Sequence, residues 1–288
     1  MINRQALLGL LGANIMKSLA PALHIDAFAA AGIVGHYHLM DVDRLPGRTL
    51  AGLLDAVKTA GFAGVNVTFP FKQDIIPLLD ALSPEAGRIG AVNTVVISDT
   101  GRTMGYNTDS SGFRLNFEDG LGRAAAEGKS AVLLGAGGAG SAVAFALMDL
   151  GLATLVVHDT NTARAEALIA DVTLHYGADR CRAAGDLRDE IGHADGVVNA
   201  TPLGMTGIPG DPVPIEALRA RHWVADVIYS PIETALIKSA AAIGARTLTG
   251  GGMCVYQGVD AFRLFTGIQP DVARMHRTFA AALAARDA

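Results

Sequence analysis

Short apolar runs and longer stretches of helical spacing alternate along this chain, the pattern of an α/β protein. Leu7 to Leu11 reads as a strand, and Pro21 to Ala31 as a helix with proline in its first turn. Tyr37 to Asp41 is a strand, Leu50 to Ala60 a helix, Gly64 to Thr68 a strand and Lys72 to Leu79 a helix. Val92 to Ile97 and Thr103 to Tyr106 form a hairpin around Asp99-Thr100-Gly101. A helix near Ser111 to Glu118 then crosses into a second region.

That region opens with the apolar run Ala131-Val132-Leu133-Leu134, followed by Gly135-Ala136-Gly137-Gly138-Ala139-Gly140 and a helical run from Ser141 to Met148. A β-type run, Thr154 to His158, then delivers Asp159. The order strand, glycine turn, helix, strand, acid is that of a Rossmann dinucleotide site. The glycines let the backbone approach a pyrophosphate, the helix N-terminus offers it free N–H groups, and the acid accepts from a ribose diol. Further strands are expected at Gly196 to Asn199, Trp223 to Val227 and Arg246 to Leu248. Two amphipathic helices, near 253–265 and 270–286, exceed what a Rossmann half needs and are expected to return to the first domain. The expected division is 1–110, an α/β substrate and catalytic domain; 111–249, a doubly wound dinucleotide domain; and 250–288, the returning helices.

Composition narrows the function class. Half of the 288 residues are apolar and the formal net charge is −5, which argues against nucleic acid or an anionic membrane as partner. No apolar run is long enough to span a bilayer, and Ala6 to Leu11 reads as a buried strand rather than a signal peptide. Cys181 and Cys254 make neither a disulfide framework nor a metal pattern. A cytoplasmic protein, monomer or homodimer, is the simplest expectation, with no metal required.

Asn66-Val67-Thr68-Phe69-Pro70-Phe71-Lys72 ends a buried strand in polar residues and presents a lysine at a helix start, where the dipole disfavours it. Taken alone, such a lysine is a solvated surface residue. Asp109, in Asn107-Thr108-Asp109, is by itself a helix N-cap for Ser110 onward. Together, at the ends of neighbouring strands, they could form a proton-transfer pair that exchanges a proton with a substrate hydroxyl.

Asn66-Val67-Thr68-x-Pro70-x-Lys72, Gly90-Ala91-Val92-Asn93-Thr94, Asn107-Thr108-Asp109, Asn199-Ala200-Thr201-Pro202-Leu203-Gly204-Met205 and Gln257 resemble the shikimate/quinate dehydrogenase family, in family order and over essentially the whole chain. The resemblance implies Lys72 and Asp109 as the catalytic pair. It implies Ser18, Thr68, Asn93, Tyr229 and Gln257 as substrate contacts, with Ser18 at the carboxylate and Asn93 and Gln257 at ring hydroxyls. Besides Gly135 to Gly140 and Asp159, it implies Thr201, Met205, Val227 and Gly250 at the cofactor, with Gly252 and Met205 near the nicotinamide. Packing alone would also account for Tyr229 and Met205, and a satisfied strand end for Thr68.

Two departures matter. Ala20 stands where the family usually has a second hydroxyl residue, which removes a carboxylate bond worth roughly 1–3 kcal/mol. Asp159-Thr160-Asn161 replaces the cationic pattern that suits a 2′-phosphate, and a carboxylate there repels one. The implied reading is an oxidoreductase on CH–OH, using NAD in preference to NADP, that interconverts shikimate, and quinate as well, with the 3-dehydro acid in the cleft between the domains. It is most like the NAD-dependent quinate/shikimate branch. Two alternatives stay open: a paralogue acting on a related cyclic hydroxy acid such as an aminoshikimate, and a catalytically weak NAD-binding regulatory module.

Overall fold

Apolar runs such as Ala131 to Leu134 and Gly196 to Asn199 become strands buried on both faces, and the helices between them cover the sheets. The computed structural model describes residues 5–287. In chain order the first elements are β1 (Gln5–Gly12), α1 (Ala20–Ala30), β2 (Val34–Asp41), α2 (Leu50–Thr59), β3 (Gly64–Val67), β4 (Ala81–Leu82), α3 (Pro84–Ile89), β5 (Thr94–Ile97) and β6 (Thr103–Tyr106). They are followed by α4 (Thr108–Gly120), β7 (Ser130–Leu134), α5 (Gly138–Asp149), β8 (Thr154–His158), α6 (Thr162–Tyr176), β9 (Cys181–Ala183), α7 (Leu187–His193), β10 (Gly196–Asn199), β11 (Trp223–Asp226), α8 (Ala235–Ala242) and β12 (Arg246–Leu248). The long helices α9 (Gly250–Thr266) and α10 (Val272–Asp287) close the chain. None of the described helices is long and apolar enough to cross a membrane.

The fold divides into two compact units, one of residues up to Thr108 together with those from Val255 onward, the other Asp109–Cys254. The first holds a mixed sheet in the order β2-β1-β3-β5-β6-β4. Its central strands β1 and β3 are parallel, and β5 and β6 form the expected antiparallel hairpin. Leu11, Val65, Val67, Val92 and Val95 fill its core against Leu54 and Val57 of α2. The last two helices contribute here. Phe262 packs on Phe28, and Arg274 of α10 makes a two-pronged ion pair with Asp26 of α1 at 2.7 and 2.8 Å.

The second unit is an all-parallel sheet, β12-β11-β10-β7-β8-β9. The order reverses between β7 and β10, the switch point at which doubly wound sheets bind ligands beyond their strand ends. The fold class expected from the sequence is the one observed.

Lys72 to Leu79 is not a regular helix. One turn forms, with the Ile75 amide donating to Phe71 at 3.0 Å, and then tightens into a 3₁₀ turn over Ile76–Leu78. Pro77 is the cause, since it lacks the N–H that would continue the helix and clashes with the preceding turn. Lys72 therefore sits in a turn, and the helix-dipole argument does not apply to it. Asp109 does not cap α4 either, because the helix begins one residue earlier at Thr108 and Asp109 lies in its first turn.

Candidate active site and dinucleotide site

In the first unit, β5 runs antiparallel to β3, so the carboxyl end of β3 and the amino end of β5 meet, Asn66 standing opposite Thr94. Thr68 and Asn93 are the residues just beyond those ends, and they are pinned there. The Thr68 amide donates to Leu11 at 2.9 Å and the Val67 amide to Asn93 at 2.8 Å. Lys72 is held beside them through its backbone, its carbonyl accepting from the Val92 amide at 2.8 Å. Thr68 and Lys72 are half-buried, and Asn93 is buried.

A buried polar chain runs under this end of the sheet. The Tyr37 hydroxyl donates to Asn66 Oδ1 at 2.9 Å, and Asn66 Nδ2 donates to Thr94 Oγ1 at 2.9 Å. Thr94 Oγ1 donates to Asn93 Oδ1 at 3.0 Å, and the Thr108 backbone N–H donates to the same oxygen at 2.7 Å. Asn93 Nδ2 is 3.0 Å from Thr108 Oγ1, which uses one of its two hydrogens and leaves the other for a substrate oxygen. Asn93, just before β5, thus accepts the first N–H of α4 and holds Thr108, the residue before Asp109. Asp109 is buried at 7 % exposure, although it begins the second unit. The sequence motifs name Asn66 and Thr94 but not this linkage, and Tyr37 lies outside them; a polar residue closing each apolar run is the signal that was present.

Ser18 lies in the loop between β1 and α1, half-buried. Its Oγ accepts the Ala20 amide at 3.2 Å, which leaves the hydroxyl hydrogen to donate to an incoming anion. Gln257 is half-buried on α9, in the part of that helix that belongs to the first unit. Ser18, Thr68, Lys72, Asn93 and Gln257 therefore all fall in one unit.

In the second unit, Gly135 adopts φ +95, and a Cβ on Gly140 would lie 1.9 Å from the Gly135 carbonyl oxygen, so only glycine closes this turn. Gly137 precedes α5, whose first N–H groups receive no side-chain cap. These are the features an anion at a helix N-terminus requires. Asp159, just past β8, accepts the Ala136 amide at 2.7 Å with one oxygen and the Asn161 amide at 2.8 Å with the other. The acid thus fixes the turn, and each oxygen keeps a lone pair for a ribose hydroxyl. A dinucleotide fits this set of groups.

Beyond the next strand ends lie the remaining predicted cofactor residues. Thr201 donates through Oγ1 to Asn199 at 2.7 Å. Val227 leaves β11 with its amide bonded to the Asn199 carbonyl at 3.0 Å. A Cβ on Gly250 would lie 2.1 Å from the Val227 carbonyl oxygen, so the start of α9 presses on this turn. Met205 and Tyr229 are half-buried in the two loops, and Met205 lines an open cavity of about 710 Å³ together with Thr206, Pro231 and Ala235. Among the described residues, no cluster of three or more His, Cys, Asp or Glu is placed to hold a metal.

The chain is similar to known proteins. The family model for the shikimate dehydrogenase substrate binding domain matches residues 10–95, and that for the shikimate 5′-dehydrogenase C-terminal domain matches residues 250–278. A quinate/shikimate dehydrogenase (NAD(+)) of Corynebacterium efficiens is 47% identical over 95% of this chain and 97% of its own. The chain belongs to the shikimate dehydrogenase family. Within that family, a shikimate dehydrogenase (NADP(+)) of Streptomyces avermitilis is 48% identical over 93% of both chains. The quinate dehydrogenase of Corynebacterium glutamicum, solved in complex with NAD, matches with TM-score 0.91 and 46% identity over 97% of this chain and 100% of its own. Family members named for NAD and for NADP are thus equally similar to this chain overall, and the dinucleotide-site residues themselves have to distinguish them.

Proposed function

We propose that this family member is an NAD-linked dehydrogenase that interconverts shikimate, and quinate as well, with the corresponding 3-dehydro acid. The observation that carries this is the convergence of Thr68, Asn93 and the Lys72 backbone at one sheet end, with Asp109 in the first turn of the helix that Asn93 caps. That end supplies hydrogen-bonding side chains for ring hydroxyls and an amine for a proton. The Ser18 hydroxyl supplies a donor for a carboxylate.

The Gly135–Gly140 turn, the α5 N-terminus and Asp159 would hold NAD, which when bound would accept the hydride from the carbinol carbon. Lys72, as the neutral amine, takes the hydroxyl proton as the C–O bond becomes a carbonyl; in the reverse direction its ammonium returns that proton. Asp109 orients the lysine and the hydroxyl. Asn93, locked by Thr94 and Thr108, can turn only its free amide hydrogen to the ring, so it binds a hydroxyl through that oxygen. Thr201, Met205, Val227 and Gly250 would contribute to holding the cofactor, with Met205 and Gly252 near the nicotinamide, and Tyr229 and Gln257 would complete the substrate contacts.

The preference for NAD rests on Asp159, whose carboxylate is fixed at the turn where a 2′-phosphate would have to sit, with Thr160 following it rather than a cation. Turnover with NAD on a panel of cyclic hydroxy acids tests the substrate assignment. Oxidation of quinate or shikimate is expected, and activity confined to an amino-substituted or non-carboxylated ring would replace it.

A further inference from the structure

Two polar residues close two neighbouring apolar strands. Asn199 is the last residue of β10 and Asp226 the last of β11, and they face each other in the parallel register. Both are buried, at 0% and 2% exposure. Asn199 has no bonding capacity left over. Its Nδ2 donates to Asp226 Oδ1 at 3.0 Å and to the Leu203 carbonyl at 3.1 Å. Its Oδ1 accepts from the Thr201 amide at 3.0 Å and the Thr201 hydroxyl at 2.7 Å.

Asp226 accepts on both sides. Oδ1 takes the Ile228 amide at 3.0 Å as well as Asn199, and Oδ2 takes the Thr234 hydroxyl at 2.7 Å. Thr234 is itself the N-cap of α8. No cation is among these partners, and burial pushes the Asp226 carboxyl above its usual range against the pull of its three donors. A buried carboxylate without a counter-charge is costly. It makes sense where donors face both oxygens, because an amide would have to aim its own NH₂ at one of them.

The linkage joins two loops. One runs from Asn199 through Thr201 to Met205; the other leaves β11 through Val227 and Ile228 to Tyr229. They meet again where the Thr206 amide donates to the Ser230 carbonyl at 2.8 Å. We propose that Asp226 is a positioning residue which, through Asn199, sets the spacing of the two loops that bear on the nicotinamide, and so tunes hydride transfer without contributing to NAD affinity. The inference rests on the function proposed above. The glycine turn and Asp159, which carry the binding of the other half of the dinucleotide, lie at different strand ends and share no hydrogen bond with this pair.

The test is D226N, compared with wild type in four measurements: kcat on quinate or shikimate, the isotope effect with substrate deuterated at the reacting carbon, NADH affinity by fluorescence titration, and amide hydrogen exchange. The expected result is a kcat at least about tenfold lower, a larger isotope effect, NADH affinity within about threefold of wild type, and faster exchange confined to residues 200–206 and 227–231. Unchanged kcat and unchanged exchange in those loops overturn the inference and leave the function standing. Exchange raised throughout the unit, with NADH affinity lost in step, overturns it as well, since Asp226 would then serve stability alone. If D226N does not fold, Thr234→Val, which removes the Oδ2 donor together with the α8 cap, decides by the same criteria with a smaller fall in kcat, Thr234→Asn, which keeps a capping oxygen, serving as the control for the cap. A wild-type protein inactive on both acids overturns the function and the inference together.

Discussion

The side-chain oxygen of Asn93 accepts the backbone N–H of Thr108 at 2.7 Å, so a residue just before β5 caps the helix that carries Asp109. The same amide has a single hydrogen left for a ligand. In the proposed function, substrate recognition and the placement of the acid are therefore joined in one side chain.

Asn93→Ala should act on both. Loss of the cap costs about 1 kcal/mol, and leaving Thr94 and Thr108 short of a buried partner adds about 1–3 kcal/mol. The melting temperature should fall by several degrees, KM for quinate or shikimate should rise about tenfold, and kcat should fall as well because Asp109 loses its anchor. A rise in KM alone, at unchanged melting temperature, would show that the cap is not carrying the helix.

Lys72→Ala should lower kcat by about 10²–10⁴-fold with NADH affinity nearly unchanged, because Lys72 belongs to the first unit and the glycine turn to the second. Stopped-flow turnover combined with fluorescence titration checks both halves. Wild-type rates would mean that the proton leaves by another route.

The proposed carboxylate contact gives a third expectation. Ser18 offers its hydroxyl hydrogen while Ala20 offers only a methyl, although the Ala20 amide already binds Ser18 Oγ. Ala20→Ser should lower KM several-fold with kcat unchanged, the mark of a uniform binding contact. Ser18→Ala should raise KM about tenfold. Steady-state kinetics on the pair decides it, and a higher KM for Ala20→Ser would mean that a bulkier group, such as the Lys17 side chain, occupies the pocket.

How far the chain could be read depended on what each signal measures. The Gly135–Gly140 turn and Asp159 were legible because spacing alone fixes a strand, a tight turn and a helix. The β5–β6 hairpin was legible from its turn residues. Lys72 to Leu79 misled, because its apolar spacing is helical while Pro77 denies it the bonds. The edge strand β9, only Cys181–Ala183, and the short α3 were too brief for periodicity to register. Thr68, Lys72 and Asn93 could be picked from motifs, but their meeting at one sheet end depends on the antiparallel pairing of β3 with β5. Asn199 closed one expected strand and Asp226 lay inside another, and their linkage was not legible, since the direction of a side-chain hydrogen bond leaves no trace in a pattern of apolar positions.

His24 supplies a pH prediction. It is buried on α1, stacked 4.6 Å from the Tyr37 ring, with Nδ1 lacking a hydrogen-bond partner. Burial pushes its pKa from 6.5 down to about 3. The folded value lies below the unfolded one, so this stability is fully present above pH 6.5 and is lost as pH falls toward 3. The slope approaches about 1.4 kcal/mol per pH unit in that window. Urea unfolding at pH 7 and pH 4.5 should show the loss, and His24→Leu should flatten it. An unchanged slope would place the acid sensitivity elsewhere.

The most direct test of the central claim is initial-rate kinetics on quinate and shikimate with NAD and NADP side by side. The account predicts turnover of at least one of the two acids, with kcat/KM for NAD at least about tenfold above that for NADP, a difference of about 1.4 kcal/mol. No turnover with NAD, or equal or better turnover with NADP, would contradict it.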